Sequence, residues 1–279
     1  MKLSIPIQTT IQKRHSVRSY ENKELTKNDK EKLIAYMDTL SNPFDVNVKT
    51  HLIEKNLNAN GEKLGTYGVI KGANTFLGVS IPNTKLAPLA AGYEFENLIL
   101  YATAMGLGTV WLAATFNRTR FASAMGIGDD ELFPAISPVG YTASKQSLKE
   151  SIMQKAMKSS TRKAWNQLFY ENDFETPLTQ DKAGAYIQPL EMLRLAPSAK
   201  NVQPWRVLKA GNIYHFYETH AKNISKGEAM IKQVDLGIAL SHFHQTLLEE
   251  GLKGKFATLS QDNIKIPANT YYMISWISE

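Results

Sequence analysis

Ala196-Pro197-Ser198-Ala199-Lys200-Asn201-Val202-Gln203-Pro204-Trp205 is the stretch on which the reading of this chain turns. It gathers Ser, Asn and Gln side chains and backbone amides into a loop bounded by prolines. That chemistry suits a flat heterocycle with mixed donors and acceptors. An ordinary helix-to-strand connection uses the same residue types, and for the stretch in isolation that plainer reading comes first. Before it, Leu178-Thr179 is followed by Ala183, Tyr186, Ile187, Leu190 and Leu193, an apolar pattern at helical spacing behind a threonine N-cap. After it, Arg206–Lys209, Ile213–Tyr217 and Tyr271–Ile277 read as strands.

The same order of signals occurs earlier in the chain. Leu25-Thr26 precedes Leu33, Ile34, Met37 and Leu40, a second capped helical pattern. A clearer pair lies further on. Gly92 to Gly108 holds Phe95, Leu98, Ile99, Ala102 and Met105 before Gly106-Leu107-Gly108, and Gly237 to Gly254 holds Leu240, Phe243 and Leu247 before Gly251-Leu252. From 92 to 237 and from 106 to 251 is the same step of 145 residues. One such match is weak; two in the same order point to a duplication. Tyr67–Ile70, Thr75–Ile81 and Ala135–Tyr141 are the strand candidates of the first half. The polar, lysine-rich segment Ala143–Asn166 joins the halves, partly as helix. Strands and helices do not alternate as in a doubly wound sheet. The class is therefore α+β, with two similar halves, 1–150 and 151–279, sharing one core. Each duplicated helix needs a partner for its Leu- and Phe-bearing face, so the interface between the halves is expected to be large and apolar.

The chain has 279 residues, 43% of them hydrophobic, which is ample for a large core. The most apolar segment, Phe95–Ala114, is interrupted by Glu96 and Asn97 and does not read as a membrane span. The N-terminal MKLSIPIQTTIQKRH does not read as a signal peptide. The lack of cysteine excludes disulfides, thiolate metal sites and a cysteine nucleophile, and fits the cytoplasm, the expected location. A net charge of +6 admits nucleic acid, anionic lipid or a phosphorylated small molecule. The KNDKEK run alternates in sign and reads as a solvated helix face. Lys13-Arg14 with Arg18, and Arg162-Lys163, are the groups suited to a phosphate, although either alone reads first as surface. No glycine-rich phosphate loop is present. His242 and His244 sit two apart on a helix and face different ways, and no third metal ligand accompanies them.

Arg14-His15-Ser16-Val17-Arg18 is the second informative segment. Two arginines offer rigid forks of donors to a phosphate, and the serine adds a hydroxyl. Taken together, Arg-x-Ser-x-Arg, Pro-Ser-Ala-x-Asn-x-Gln-Pro-Trp and a helix ending Gly-Leu-Gly resemble the FMN-dependent nitroreductase family over nearly the whole chain. The resemblance implies a nitroreductase-like fold of mainly antiparallel sheets flanked by helices. It implies bound FMN, with NAD(P)H as electron donor and a small acceptor such as a nitroaromatic or quinone. The expected partners are small molecules, with neither nucleic acid nor membrane among them.

The order of motifs departs from the family pattern. The place after the first helix holds Ser41-Asn42-Pro43-Phe44 instead of Pro-Ser-Ala, and the second half has only a degraded Lys158-Ser159-Ser160-Thr161-Arg162. Ordinary members are dimers whose flavins lie at the interface. This chain therefore resembles the two-half group of the family, two subunits fused, with one flavin site kept and the protein acting as a monomeric pseudo-dimer. By resemblance, Arg14 and Ser16 hold the FMN phosphate and ribityl end, His15 contributes its backbone, and Arg18 lies near the pyrimidine edge. Pro197, Ser198, Ala199, Asn201 and Gln203 meet the ring from the other half. Trp111, Leu112 and Ala113 line it with backbone groups, and Arg162 and Lys163 fall where the family places late basic residues near the phosphate. Trp205 packs behind the ring. Lys71 is a further neighbour of the ring edge outside this set. No side chain is assigned a catalytic role. Two other readings stay open: a specialised flavin enzyme acting on one metabolite, and a non-catalytic module that has lost flavin.

Overall fold

Thr75–Pro82 is a run of small and apolar residues, and seven of its eight positions are buried. Such a run belongs at the centre of a sheet covered on both faces. In the computed structural model, which describes residues 3–54, 64–144 and 161–279, it is β2. It pairs antiparallel with β1 (Lys49–Glu54) and β4 (Glu131–Gly140), and β4 carries the short β3 (Gly108–Thr109). Successive side chains of a strand face opposite ways, and here each set has its own cover. Leu77, Val79 and Ile81 meet Ala91, Phe95 and Leu98 of a long helix, Ala87–Ala104. Phe76 meets Phe121 of the helix Arg118–Met125. In chain order these helices are α3 and α4. They follow α1 (Ile7–Lys13) and α2 (Lys27–Met37), whose cap Thr26 accepts from the amide of Asp29 at 3.2 Å.

The second half has its own sheet, ordered β5-β6-β7-β9-β8: Phe169–Glu171, Trp205–Ala210, Ile213–Thr219, Thr270–Ser278 and Gly254–Ala257. Only the β5–β6 pair is parallel. Gly211 and Asn212 turn β6 into β7, with Gly211 at φ 59°, which a two-residue hairpin favours. Thr179 caps a short helix, α5 (Gln180–Ala183). Gly184 at φ 56° and ψ −129° breaks it, so the predicted single helix resumes only as α6 (Ile187–Arg194). The longest helix, α7 (Lys226–Glu250), starts eleven residues before the glycine from which the sequence pattern was read. Its start is a capping box: Ser225 Oγ accepts from Glu228 N at 3.2 Å, and Glu228 Oε2 accepts from Ser225 N at 3.1 Å.

Helices α3 and α7 join the halves. A methyl group on Gly92 would lie 2.1 Å from the carbonyl oxygen of Val234, and one on Gly237 would lie 2.1 Å from that of Leu89. Leu89 and Val234 are themselves 145 residues apart, like the two glycines. The contact is thus reciprocal, as a two-fold axis between equivalent elements requires. The next polar pairs repeat the pattern. Glu96 Oε1 meets His242 Nε2 at 2.9 Å, and Ser241 Oγ donates to Asn97 Oδ1 at 2.8 Å. By the same offset Glu96 corresponds to Ser241 and Asn97 to His242. Both bonds are fully or nearly fully buried. The centre of the interface between the halves is a glycine crossing beside paired polar side chains, with the apolar packing around it. Leu89, Ala90 and Tyr93 of α3 belong to the second-half core, together with Phe44. The halves share one core.

Tyr67–Ile70 is not a strand. Tyr67 (φ 48°) and Gly68 (φ 73°) are consecutive left-handed residues and make a turn. Strands β1, β5 and β8 lie outside the segments that the sequence marks as strands. Of the joining segment, residues 145–160 lie outside the described residues, and Trp165–Gln167 forms one 3-10 turn.

Candidate functional site

Helix α1 aims the Arg14–Arg18 segment, and the second half anchors α1. Glu249 of α7 accepts from the amides of Ile7 (2.7 Å) and Gln8 (3.2 Å), two donors that the first turn of a helix leaves without partners. After α1 the chain extends along β3. Ser16 bridges Thr109, and Val17 N donates to Thr109 O at 2.8 Å. A methyl group on Gly108 would lie 2.9 Å from Val17 Cγ1, so the last glycine of Gly-Leu-Gly admits this segment. The carbonyl of Arg18 accepts from Lys71 N at 2.9 Å. Arg-x-Ser-x-Arg, Gly-Leu-Gly and Lys71 are therefore side by side. His15 is exposed, its Nδ1 3.1 Å from Lys13 O.

Arg14 turns inward. Its Nε is buried without a hydrogen-bond partner and stands 3.9 Å from Glu96 Oε1. Glu96 is fully buried on α3 and accepts from Trp111 Nε1 at 2.6 Å. His242 joins it to the second half, with Nδ1 3.0 Å from the carbonyl of Met192 on α6. Burial lowers the pKa of Arg14, and Glu96 opposes that shift. Arg162 enters the same neighbourhood: its Nε and Nη2 donate to Leu195 O at 3.2 and 2.9 Å. Burial, then Arg14 and Arg194, push its pKa down to about 10. Arg194 is held by Glu191 and donates to Lys163 O at 3.2 Å. Three guanidinium groups from both halves thus converge where the first half meets the end of α6.

The loop Ala196–Trp205 is wound tightly. Lys200, Asn201 and Gln203 have φ of 52°, 54° and 50°, and none is glycine. Left-handed residues of this kind cluster at functional sites. The loop holds itself through the side chains that marked it in the sequence. Ser198 Oγ accepts from Gln203 N at 2.9 Å, and Asp235 Oδ1 of α7 accepts from Ala199 N at 2.9 Å. Asn201 Nδ2 donates to Thr161 O at 3.0 Å, and Gln203 Oε1 accepts from Lys163 N at 2.7 Å. Gln203 is buried, and its Nε2 donates to Asn201 O and Oδ1 at 3.3 Å. Its amide is engaged within the protein. Pro197, Ser198, Ala199 and Asn201 stay half-buried at the surface of the loop, while Trp205 is fully buried behind it.

Of the segment 111–113, Leu112 exchanges both backbone hydrogen bonds with Ile136 (2.9 and 3.0 Å), and the carbonyl of Ala113 accepts from Arg118 at 2.7 Å. Both backbone groups of Leu112 thus extend the sheet, beside the expectation that Trp111, Leu112 and Ala113 line the flavin with backbone groups. Arg162 and Lys163 also part. Lys163 faces Arg206 and Lys232, and burial with these two lowers its pKa to about 8. Glu96, Arg194 and Asp235 are not among the sequence candidates, and His242 enters there only as a metal ligand without a third partner. Glu96 did carry a signal, as a charge inside the most apolar stretch of the chain.

The comparisons agree with this architecture. The family model described as "Putative TM nitroreductase" matches residues 6–247. Among solved structures, a "putative nitroreductase" from Thermotoga maritima is 20% identical, with 99% of this chain and 95% of that chain covered at a TM-score of 0.61. A nitroreductase with bound FMN from Bacteroides fragilis is 18% identical, covering 52% of this chain and 92% of its own at a TM-score of 0.42. One with bound FMN from Desulfitobacterium hafniense is 12% identical, covering 52% and 93% at 0.41. No curated protein matches. Residues 6–247 are most of the chain, and on that match the chain belongs to the family described as "Putative TM nitroreductase".

Proposed function

We propose that this protein is an FMN-dependent oxidoreductase that passes electrons from NAD(P)H to a small acceptor such as a nitroaromatic or quinone. The observation that carries this reading is Arg14: a guanidinium turned inward, with a buried Nε that meets no hydrogen-bond acceptor. Arg162 stands beside it, its charge disfavoured by burial and by its neighbours. A phosphate bearing about −1.5 to −2 charges supplies the acceptor that Arg14 Nε lacks and favours the charged form of both groups. The residues present therefore fit FMN.

In this reading Arg14, Ser16 and Arg162 hold the phosphate and ribityl end, the backbone of His15 adjoins them, and Arg18 lies near the pyrimidine edge. Pro197, Ser198, Ala199 and Asn201 meet the ring from the second half. Bound FMN supplies the two-electron redox chemistry. The chain binds and orients it: Asp235 fixes the loop at Ala199, Ser198 closes it onto Gln203, and Glu96 sets Arg14 beside α3. None of these roles requires a side chain to exchange a proton with substrate. The halves, residues 1–150 and 151–279, together build one flavin site within one chain, so the protein acts as a monomer in the cytoplasm.

The protein purified as expressed is expected to be yellow. Arg14→Ala should weaken FMN by about 1.5–3 kcal/mol, roughly 10- to 100-fold. Riboflavin, which has no phosphate, should be affected far less. A colourless protein that takes up no added FMN overturns the proposal. Equal losses for FMN and riboflavin overturn the role of Arg14.

A further inference from the structure

We infer that Lys163, Arg206 and Lys232 form a second anion-binding site, distinct from the Arg14 cluster, which receives a phosphate group of the electron donor. The inference rests on the oxidoreductase reading. It starts from the divergence of two adjacent residues. Arg162 has Arg14 and Arg194 as its charged neighbours, whereas Lys163 reaches the carbonyl of Gln203 and has Arg206 and Lys232 as its neighbours. FMN carries one phosphate, and the Arg14 cluster accounts for it. The cations around Lys163 are left for another anion.

The geometry brings these cations together. Lys163 Nζ donates to Gln203 O at 3.2 Å, and Arg206 Nη1 approaches the same oxygen at 3.4 Å while donating to Trp205 O at 2.6 Å. Two positive side chains thus share one carbonyl, on a residue whose φ of 50° turns that peptide out of the strand line. Lys232 precedes Asp235 by about one turn of α7, on the face that reaches the loop through Ala199. Among the described residues none of the three cations forms an ion pair. Three carboxylates lie near Lys232, namely Glu218, Asp235 and Glu228, and among the described residues none forms an ion pair with the cluster; Glu228 closes the Ser225 capping box. Glu218 is 3.4 Å from His220, and Asp235 binds the Ala199 amide. Burial raises the pKa of Glu218 and Asp235, that of Asp235 to about 7. Lys163 is pushed down to about 8 by burial first, then by Arg206 and Lys232, the response of an ammonium group short of negative charge. A phosphate ester or diphosphate has the charge and the acceptor oxygens to bridge all three.

Lys232→Gln is the main variant, because Lys232 is a half-buried helix residue that makes no side-chain hydrogen bond among the described residues. Arg206→Gln and the conservative Arg206→Lys are its companions. Three donors separate the sources of the phosphate: NADPH, NADH and the phosphate-free 1-benzyl-1,4-dihydronicotinamide. With Lys232→Gln the KM for a phosphate-bearing donor should rise about fivefold to tenfold, and less at high salt, where the wild type is also weakened. The KM for the benzyl compound should not move. A rise for NADPH alone assigns the 2′-phosphate, and a rise for both dinucleotides assigns the diphosphate. Arg206→Lys should restore most of what Arg206→Gln loses. Independently of turnover, inorganic pyrophosphate should bind the wild-type protein by calorimetry, and bind Lys232→Gln several-fold more weakly. Equal KM changes for all three donors, no change for any, or no pyrophosphate binding overturns the site. A protein without flavin instead overturns the reading on which it rests, and the pyrophosphate titration still reads the site in that case.

Discussion

The loop after α2 and the loop after α6 occupy matching places in the two halves, and they have been built for opposite ends. In the first, Phe44 is buried against Tyr93 and Phe256, with ring centroids 5.5 and 5.4 Å away. Asn42 locks it, with Oδ1 accepting from Phe44 N at 3.0 Å and Nδ2 donating to Val46 O at 2.7 Å and to Glu94 on α3 at 2.5 Å. The second loop inserts no large side chain between Pro197 and Gln203. It keeps half-buried Ser198, Ala199 and Asn201 beside three guanidinium groups, and it holds three left-handed residues where the first holds one, Asp45. A space that an aromatic ring fills needs no ligand. A loop that lies beside cations and is wound against its own backbone preference is the one to which the flavin is assigned above. Two halves that agree at the Gly92–Gly237 crossing have diverged at their loops.

The agreement can be tested most severely. No side chain fits at either glycine, since even a methyl group meets a carbonyl oxygen at 2.1 Å on both sides. Gly92→Ala and Gly237→Ala should each destabilise the protein by about 3 kcal/mol, because the two helices must separate. Reciprocity requires equal costs. Urea unfolding that shows one variant impaired and the other unaffected breaks the symmetry on which the comparison stands.

How much of this was legible from the residues follows from the range of each interaction. The caps Thr26 and Thr179, the strands β2, β4, β6, β7 and β9, and the paired glycines are local or periodic, and they read through. The S-x-x-E box at Ser225 is equally local, and it marks the first eleven residues of α7 that the apolar pattern from Gly237 leaves out. The site itself is made by long-range pairs. His242 lies 146 positions from Glu96, and no spacing rule connects them. Asn201, Gln203 and Ser198 posed a different difficulty. A polar side chain in a loop can serve a ligand or its own backbone, and composition is the same in both cases. Here much of that polarity serves to wind the loop.

The two loops also lean on buried acids, which sharpens the contrast at a somewhat smaller energy. Asn42 meets Glu94 and Ala199 meets Asp235, and burial raises the pKa of each carboxyl to about 7. Unfolded, such groups titrate near about 4. Their folded pKa is the higher, so folding takes up protons between these limits. Their stabilising contribution is complete below about pH 4 and is lost as the pH rises through about 7. Glu94→Gln and Asp235→Asn should each make stability at pH 8 higher relative to pH 4 than in the wild type, by on the order of 2 kcal/mol. The loops should part in their effect on ligand. Asp235→Asn should flatten the pH dependence of FMN affinity between pH 5 and 8, while Glu94→Gln leaves it unchanged. Identical affinity profiles for the two variants and the wild type would detach the second loop from the flavin.

The smallest effect addresses the backbone itself. A non-glycine residue in the left-handed region costs about 1–2 kcal/mol, and glycine there avoids it while losing about 0.5–1 kcal/mol of backbone entropy. Lys200, exposed and at φ 52°, has no side-chain hydrogen bond in the loop, so Lys200→Gly exchanges little else. A gain of up to about 1 kcal/mol in stability is expected. Asp45, exposed at φ 55°, is of a type that tolerates this region because a short polar side chain bonds locally. Asp45→Gly should therefore change stability by less than about 0.5 kcal/mol. The ligand readout is the decisive one. If the second loop is wound to present Ser198, Ala199 and Asn201 to the flavin ring, relaxing Lys200 widens the set of loop conformations and weakens FMN about twofold to threefold as stability rises. Asp45→Gly, at a loop plugged by Phe44, should leave affinity where it was. Opposite movements of stability and affinity for Lys200→Gly, with neither moving for Asp45→Gly, would show that the strain is kept for binding. A stabilised Lys200→Gly that binds FMN as tightly as the wild type would show that the left-handed turn serves only to connect α6 to β6.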